Sequence, residues 1–378
     1  MNLIRLVAVA TLLLHSFSLS AITLIPAPPK LAATGYILMD HLSGQILASE
    51  NPDARLEPAS LTKIMTSYVV FYELETGHVR LDEKVRVSEK AWRAPGSRMF
   101  IKEGTEVTVE KLLKGMIIQS GNDASIALAE FTAGSEEAFV DLMNSHASEL
   151  GLNNSHFANS TGLPHADHYT TPRDVAKLSS ALIKRFPEYY KWFSVKKYTY
   201  NKITQNNRNL LLFRDKSVDG LKTGHTNAAG YCLVATAIRN DMRLITVVMG
   251  TKSERARADE SQKLLNYGFR FYETHRLYGA DEKIKQIRIW QGGQESLALG
   301  VDKELYVTVP RGQYKKLSAS MMINQAVIAP VKAGATLGHI EIKLGDKLVA
   351  QPKLIALHSV TEGGLFQKLK DKLLLMLE

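Results

Sequence analysis

The spacing of apolar residues changes near residue 281, and this change divides the chain into two regions that must fold differently. Before it, segments in which apolar residues recur every three or four positions alternate with strand-like runs such as LVATAI and RLITVVMG. After it, short alternating runs are separated by glycine, proline and aspartate turns. We therefore predict a mixed α/β domain over residues 22–275 and a small all-β domain over residues 276–361.

The composition agrees with a folded chain of two domains and excludes some partners. The chain has 378 residues, of which 45% are hydrophobic, so it can bury a large core. Its formal net charge is +9, but the basic residues are scattered without interleaved aromatic residues, so we expect no nucleic-acid partner. The single cysteine, Cys232, lies in an apolar run that predicts a core position, and no cluster has the spacing of metal ligands. We expect neither a metal nor another cofactor.

The first residues have the pattern of a secretory signal. Arg5 precedes the apolar run Leu6–Leu14, and the small residues of Ser18–Ala21 offer a cleavage site. The run is too short to span a bilayer. The alternative, a buried N-terminal strand, does not account for the proline-rich stretch Pro26–Pro29 that follows. We therefore exclude residues 1–21 from the fold and expect the rest to work outside the cytoplasm.

The last residues, 362–378, form a third kind of segment. On a helical wheel its apolar side chains share one arc: Leu365, Phe366, Leu369, Leu373, Met376 and Leu377. Lysines lie on the polar side, and the segment is long enough to lie in a membrane interface but not to cross it. The alternative is a terminal helix docked on the β domain. Because Gly363 and Gly364 are expected to uncouple the helix from that domain, the sequence favours an anchor at the membrane surface.

Ser60 and Lys63 are the first candidates for chemistry. They follow Pro58 in a segment whose apolar periodicity predicts a helix beginning at that proline. Lys63 would lie one turn after Ser60 on the same face, and the N–H groups of the helix N-terminus would face an oxyanion forming there. The S-x-x-K pattern is weak by itself, since Ser194–Lys197 also matches it. From this pair alone, Ser60 is either a nucleophile or a polar residue that opens a helix.

Two further motifs follow in order along the chain. Ser120-Gly121-Asn122 interrupts two helical patterns, and Lys222-Thr223-Gly224 precedes a strand-like run. Together the three motifs resemble those of the serine acyl-transferases that comprise penicillin-binding proteins and class A β-lactamases. The segments EPASLTK, IQSGNDA, DGLKTGHT and VPRG are similar to those of low-molecular-mass D-alanyl-D-alanine carboxypeptidases of the penicillin-binding protein 5/6 type. The resemblance covers nearly the whole chain and implies a β-lactamase-like transpeptidase fold, with a helical cluster against an antiparallel sheet.

The chemistry of these residues can also be argued without the resemblance. A serine hydroxyl needs a base, and the sequence has no recognisable His/Asp pair for that role. A lysine can act as base only when it is neutral, and burial beside a second cation, Lys222, is expected to lower the pKa of Lys63. Ser120 could then relay a proton to the leaving amine. Asn122 is expected to hold Lys63 and the amide carbonyl of the substrate.

The third motif is expected to contribute backbone groups to the site. A side chain at position 224 would stand between its strand and the substrate, so we expect Gly224 to be required. The resemblance implies that the backbone N–H groups of Ser60 and His225 form the oxyanion hole. We expect His225, which follows the motif directly, to contact the pocket.

A peptide ending in D-Ala-D-Ala carries a terminal carboxylate, and the site needs a cation to bind it. Thr223 and Arg257 are the candidates for binding this carboxylate. Arg257 is chosen because its segment is similar to the one in which these carboxypeptidases place their carboxylate-binding arginine. Arg255 is a close rival. Either arginine could instead be a solvated charge at the start of a helix.

The sequence favours a carboxypeptidase over a β-lactamase. A class A β-lactamase needs a glutamate that activates the deacylating water. Glu149 matches that pattern only formally, because Gly151 is expected to end a helix and to leave Glu149 in its last turn. Asp174, in the later loop, either steadies the site or caps a helix. Position 121 is glycine in this chain, as it is in the carboxypeptidases, whereas the class A β-lactamases have aspartate there.

The resemblance implies a two-step hydrolysis. Ser60 attacks the D-Ala-D-Ala carbonyl of a peptidoglycan stem pentapeptide, the terminal D-alanine leaves, and water releases the tetrapeptide. β-Lactams present a similar amide and carboxylate, so we expect them to acylate the same serine. A transpeptidase or endopeptidase of the same family and a non-enzymatic peptidoglycan-binding protein remain alternatives. The expected location is the periplasm, at the outer face of the cytoplasmic membrane.

Overall fold

The computed structural model describes residues 25–323 and 326–377, and the predicted signal, residues 1–21, lies outside them. The described helices are α1 Lys63–Thr76, α2 Glu89–Trp92, α3 Val109–Gln119, α4 Asn122–Ala133, α5 Glu136–Glu149, α6 Pro172–Arg185, α7 Pro187–Tyr190, α8 Leu211–Arg214, α9 Glu254–Phe271 and α10 Leu365–Leu375. The described strands are β1 Gly35–Asp40, β2 Ile46–Glu50, β3 Lys84–Arg86, β4 Glu106–Thr108, β5 Lys197–Tyr200, β6 Ile203–Asn206, β7 Val218–Thr226, β8 Gly230–Arg239, β9 Met242–Thr251, β10 Tyr272–Tyr278, β11 Lys285–Arg288, β12 Ser296–Gly300, β13 Leu305–Pro310, β14 Leu317–Ile323, β15 Thr336–Leu344, β16 Lys347–Ala350 and β17 Lys353–Ala356.

A five-stranded antiparallel sheet, in the order β2-β1-β9-β8-β7, forms the centre of the first domain. Successive residues of each strand point to opposite faces. In β1, Ile37 packs in the apolar cluster that includes α1, whereas Leu38 packs in the cluster that includes α9. Because helices cover both faces, the central strands are apolar nearly throughout. The predicted fold class, a helical cluster against an antiparallel sheet, is confirmed.

The helix α9 is shorter than the helical pattern of its sequence. The pattern, in ARADESQKLLNYGFRFYETH, continues through His275, but α9 ends at Phe271 and Tyr272 begins strand β10. This strand pairs with β13, and Thr274 lies opposite Thr308. Pairing with a strand more than thirty residues further along the chain therefore overrides the local helical pattern.

The second domain contains β-strands and a core of its own. Strands β11, β12, β17, β15 and β14 form an antiparallel sheet, with β16 paired to β15. Its apolar side chains form a cluster separate from those of the first domain. Polar contacts join the two domains at Thr308, whose hydroxyl lies 2.6 Å from that of Ser43 and 2.9 Å from that of Thr274.

The last helix, α10, lies against the second domain, and Asp371 on that side is buried. Our expectation that Gly363 and Gly364 uncouple this helix was wrong for Gly363. Its N–H donates to the carbonyl of Gln291 at 2.8 Å, and a Cβ at this position would lie 2.7 Å from the carbonyl oxygen of Gly292. Glycine here permits a close contact rather than a hinge. Every described helix is too short or too polar to span a membrane.

Candidate active site

Ser60 lies in a tight 3-10 turn, Ala59–Thr62, that leads into α1. The α-helix begins at Lys63, so Ser60 precedes it instead of lying in its first turn as the sequence predicted. Ala59 has a φ of +47°, a left-handed conformation that is uncommon for a residue with a side chain. This bend turns the chain so that Lys63 Nζ lies 3.1 Å from Ser60 Oγ.

The amine of Lys63 is enclosed, with 1% of the residue exposed. Its Nζ donates to Asn122 Oδ1 at 2.7 Å and to the carbonyl of Thr161 at 2.6 Å. The pKa of Lys63 is lowered to about 7, chiefly by burial; the carboxylates of Asp123 and Glu136 partly offset this shift, and the charge on Arg208 adds to it. We expected Lys222 to supply the second cation. The cation that lowers the pKa of Lys63 is Arg208, whereas the repulsion between the two lysines lowers the pKa of Lys222.

Ser120 and Lys222 meet on the other side of the site. Ser120 has a φ of +63° between α3 and α4, which agrees with the predicted break between two helices. Lys222, in β7, donates to Ser120 Oγ at 2.8 Å and to the carbonyl of Thr223 at 3.0 Å. Burial and then the charge on Lys63 hold the pKa of Lys222 well below its usual range. The three motifs therefore converge, although they are far apart in the sequence.

Gly224 lies where β7, the edge strand of the central sheet, passes the turn that carries Ser60. A Cβ at position 224 would lie 3.0 Å from the carbonyl oxygen of Pro58 and 3.2 Å from the backbone nitrogen of Ser60. We expected the glycine to make room for the substrate. In the structure its first effect is to let the strand approach the Ser60 turn.

A cavity of about 400 Å³ opens at Ser60 Oγ. The predicted residues that line it are Ser60, Ser120, Asn122, Thr223, Gly224, His225 and Arg257. Lys63 and Lys222 lie behind this lining, in contact with the serine hydroxyls. The sequence therefore predicted seven of the sixteen residues that line the cavity.

Arg257, not Arg255, faces the cavity. Arg257 is 2% exposed, donates to the carbonyl of Gly224 at 3.2 Å and lies 3.5 Å from Glu254. The side chain of Arg255 is 84% exposed and lies 3.5 Å from Asp259, as expected of a solvated charge near the start of α9. Burial and the hydrogen bond to Gly224 thus hold the guanidinium of Arg257 beside the cavity.

His225 is exposed on the cavity wall and stacks on Tyr231, with ring centroids 3.9 Å apart. Its backbone follows Gly224 in β7, next to the Ser60 turn. We had expected contact with the pocket, and the structure places the residue there.

The sequence missed Arg208. Its exposed side chain lines the cavity, and its charge lowers the pKa of Lys63, Lys222 and Arg257. Arg208 lies in a loop held by its neighbour Asn209, whose side chain donates to the carbonyl of Gly220 at 2.9 Å. No motif surrounds it, so the sequence carried no local signal for this position.

The sequence also missed Asn159, which shapes the loop that contacts Lys63. Its Oδ1 accepts from Thr161 Oγ1 at 2.9 Å and from the N–H groups of Gly162 and Leu163 at 2.7 and 3.2 Å. Its Nδ2 donates to the carbonyl of Leu163 at 3.0 Å. One side chain therefore holds the loop whose Thr161 carbonyl accepts from Lys63. The run of Asn, Ser, Thr and Gly residues here was a signal for a turn stabilised by side chains.

The two acidic residues discussed for a lactamase lie outside the cavity lining. Glu149 is the last residue of α5 and lies 3.2 Å from His146, as the helix-end argument predicted. Asp174 lies in the first turn of α6, and its carboxylate accepts from the N–H of Asn154 and the hydroxyl of Ser155, both at 2.9 Å. Asp174 therefore steadies a neighbouring loop from the start of a helix.

Comparison with known proteins agrees with this geometry. The family model described as D-alanyl-D-alanine carboxypeptidase matches residues 22–253. The chain belongs to this D-alanyl-D-alanine carboxypeptidase family. The C-terminal domain of penicillin-binding protein 5 matches residues 272–362 of the carboxypeptidase. The predicted family and its class, a serine-type hydrolase, are confirmed.

Individual relatives extend the similarity over nearly the full length. The carboxypeptidase is 42% identical to D-alanyl-D-alanine carboxypeptidase DacA of Escherichia coli K12, over 96% of this chain and 92% of the relative. It is 46% identical to DacC of the same organism, over 91% and 88%. Penicillin-binding protein 5 from Haemophilus influenzae matches with a TM-score of 0.87 and 40% identity, over 89% of this chain and 100% of that structure.

Proposed function

We propose that the chain removes the terminal D-alanine from peptidoglycan stem pentapeptides through an acyl-enzyme on Ser60. The observation that carries the proposal is the buried amine of Lys63, 3.1 Å from Ser60 Oγ. With its pKa lowered to about 7, a large share of this amine is neutral near neutral pH. A neutral amine within hydrogen-bond reach of a hydroxyl has the geometry and the basicity of a general base.

The reaction then follows from the positions of the hydroxyls. Ser60 Oγ forms a bond to the carbonyl carbon of the penultimate D-alanine, and its proton passes to Lys63. The C–N bond breaks, and Ser120, oriented by Lys222 at 2.8 Å, relays that proton to the departing nitrogen. Water next attacks the ester and gives a proton to Lys63, which returns it to Ser60. The tetrapeptide leaves, and the site is restored.

Binding groups surround this reaction path. The N–H groups of Ser60 and His225 would stabilise the oxyanion, a contribution of about 3–4 kcal/mol per donor in comparable sites. Asn122 holds Lys63 through its Oδ1, although its Nδ2 donates to the carbonyl of Pro95 at 2.7 Å and must change partner to reach a substrate carbonyl. Arg257, with Thr223, would bind the terminal carboxylate of the substrate.

The same groups explain binding of β-lactams. A β-lactam presents an amide carbonyl to Ser60 and a carboxylate to the cation at Arg257, as the peptide does. Acylation opens the ring, so the leaving nitrogen stays tethered to the acyl group. We propose that penicillins label Ser60 for this reason.

Substitution of Ser60 is the direct test. With the full chain and a diacyl-D-Ala-D-Ala peptide, Ser60→Ala should lose both D-alanine release and labelling by a fluorescent penicillin. Ser194→Ala, which removes the exposed serine of the second S-x-x-K match, is the control and should retain both. Survival of either activity in Ser60→Ala would remove Ser60 from the mechanism. Crosslinked product in the same assay would reveal a transpeptidase.

We also propose that the protein works in the periplasm, held at the outer face of the cytoplasmic membrane by α10. Six large apolar side chains in this helix and directly after it are exposed: Leu365, Phe366, Leu369, Leu373, Met376 and Leu377. An exposed apolar arc on an amphipathic helix is typical of a segment that lies in a lipid interface.

A further inference from the structure

The helix α10 contacts the second domain with the side opposite its exposed apolar residues. We call these residues, Leu365, Phe366, Leu369, Leu373, Met376 and Leu377, the outer arc; all are exposed. The side that faces the domain carries Gln367, Asp371 and Leu374, which line a crevice with Arg288 and Ile289. An ordinary surface helix buries its apolar face instead. The sequence alternatives, a docked helix and a membrane anchor, are therefore compatible with each other.

Asp371 is the centre of this contact. It is 1% exposed, and its carboxylate accepts from the N–H of Gln291 at 2.6 Å, from Arg288 at 3.2 Å and from Gln367 at 3.2 Å. The Arg288 guanidinium also stacks on Trp290, 3.7 Å from the ring centroid. A buried carboxylate is stable only with such partners, so removal of Asp371 leaves the N–H and the guanidinium without their acceptor.

The segment that leads into α10 is tied to the same loop of the second domain. The N–H of Gly293 donates to the carbonyl of Thr361 at 2.9 Å, and that of Gly363 donates to Gln291 at 2.8 Å. Lys368 in the helix forms an ion pair with Glu362. These bonds leave little free chain between the domain and the helix, which begins at Leu365.

We propose that Asp371 acts as a latch that holds α10 against the second domain. The domain and the helix then bind an anionic phospholipid surface as one rigid body. In this arrangement the outer arc faces the lipid. The inference rests on the proposed anchoring role of α10. The exposed Lys370 and Lys372 lie at the two edges of the outer arc, where they can reach lipid phosphates while the arc enters the apolar layer. An unlatched helix would bind the same lipids but would leave the orientation of the domain undefined.

The test measures the position of the helix in the full chain. Spin labels at Lys303→Cys on the second domain and at Leu375→Cys on α10, with the buried Cys232 replaced by alanine, report one distance in buffer without lipid; Leu375 belongs neither to the outer arc nor to its flanking lysines. We expect a single narrow distance distribution, its loss in Asp371→Ala, and its retention in Asp346→Ala, which removes an exposed carboxylate instead. Arg288→Ala removes a partner of Asp371 without changing the sequence of the helix, and it should also broaden the distance distribution. A broad distribution in the parent, or a narrow one in both latch variants, would overturn the latch.

A second measurement separates the latch from anchoring. The full chain should sediment with vesicles of phosphatidylethanolamine and phosphatidylglycerol, and its distance distribution should stay narrow on them. If the chain does not sediment, the anchoring proposal and the lipid part of this inference are wrong, while the distances in buffer still decide the latch. If the distribution broadens only on vesicles, the latch opens at the membrane and the rigid-body proposal is wrong. Labelling by penicillin in each variant shows that the first domain is folded.

Discussion

The amine of Lys63 contacts neutral oxygens, those of Ser60, Asn122 and Thr161, and no carboxylate among the described residues forms an ion pair with it. Neutral oxygens accept hydrogen bonds from an ammonium but compensate poorly for the loss of water around a full charge. Burial therefore outweighs the more distant Asp123 and Glu136, and the pKa falls. The basicity of the site at neutral pH depends on this choice of partners.

Asn159 gives a prediction at the same scale. Asn159→Ala removes the acceptor of the Gly162 and Leu163 N–H groups and should lower the free energy of unfolding by about 1–3 kcal/mol. The Thr161 carbonyl would then lose its fixed position, and kcat/KM for D-alanine release should fall about ten- to a hundred-fold. Urea unfolding and steady-state kinetics measure the two effects. The exposed Asn153→Ala is the control, and wild-type values for both quantities in Asn159→Ala would contradict the account.

The motif residues could be predicted because each is marked in the sequence by spacing and by a helix start, a helix break or a strand. Arg208 and Asn159 could not, because what each does depends on groups brought close by the fold. The effect of Lys222 on Lys63 could not be predicted for the same reason. Sequence order predicted that two amines converge and repel each other, but how strongly the pKa of each is lowered depends on burial, which only the structure gives.

At the scale of elements, the turn that carries Ser60 is compressed between two neighbours. Strand β7 approaches it at Gly224, and the loop after α5 approaches it at Gly162, where a Cβ would overlap the Ala59 carbonyl oxygen. The left-handed conformation of Ala59 is sustained by these contacts. The position of Ser60 is thus set by two other elements as much as by its own helix.

Two glycines with nearly the same φ test this compression. Gly162 and Gly134 have φ values of +85° and +82°, but a Cβ on Gly134 meets no atom within 4 Å. Alanine at either position should cost about 1–2 kcal/mol of stability through its backbone conformation. Gly162→Ala alone should also slow labelling of Ser60 by fluorescent penicillin, by about ten-fold or more. Equal labelling rates in the two variants would show that the turn does not need this contact.

Element types were predictable where apolar periodicity was long, as in α3, α5 and α6. The 3-10 turn before α1 and the early end of α9 were not, because close approach of other strands decides both. Gly363 is a similar case. Its sequence neighbourhood indicates flexibility, whereas its contact with Gly292 makes it part of a packed junction.

At the scale of the whole molecule, the cavity and the outer arc belong to different domains. The polar junction of Asp40, Ser43, Thr274 and Thr308 connects the two. The chain thus carries its reactive site and its proposed lipid contact on separate cores, and each should be removable without loss of the other.

Deletion of residues 362–378 tests this separation. The truncated chain should leave the membrane fraction for the supernatant, because it loses the outer arc, while D-alanine release per molecule stays within about two-fold of the full chain. Fractionation with penicillin labelling of both fractions measures the change. A chain without the helix that stays in the membrane fraction would leave α10 without an anchoring role.

The central claim is that Lys63 is partly neutral at physiological pH, and a titration of its side chain tests this most directly. In the full chain with lysines labelled with 13C at Cε, the resonance that disappears in Lys63→Arg is assigned to Lys63. We predict that it titrates near pH 7 and that the rate of Ser60 acylation rises with pH through the same range, since the neutral amine is the active form. A midpoint above about 10, as for an ordinary lysine, would contradict the account.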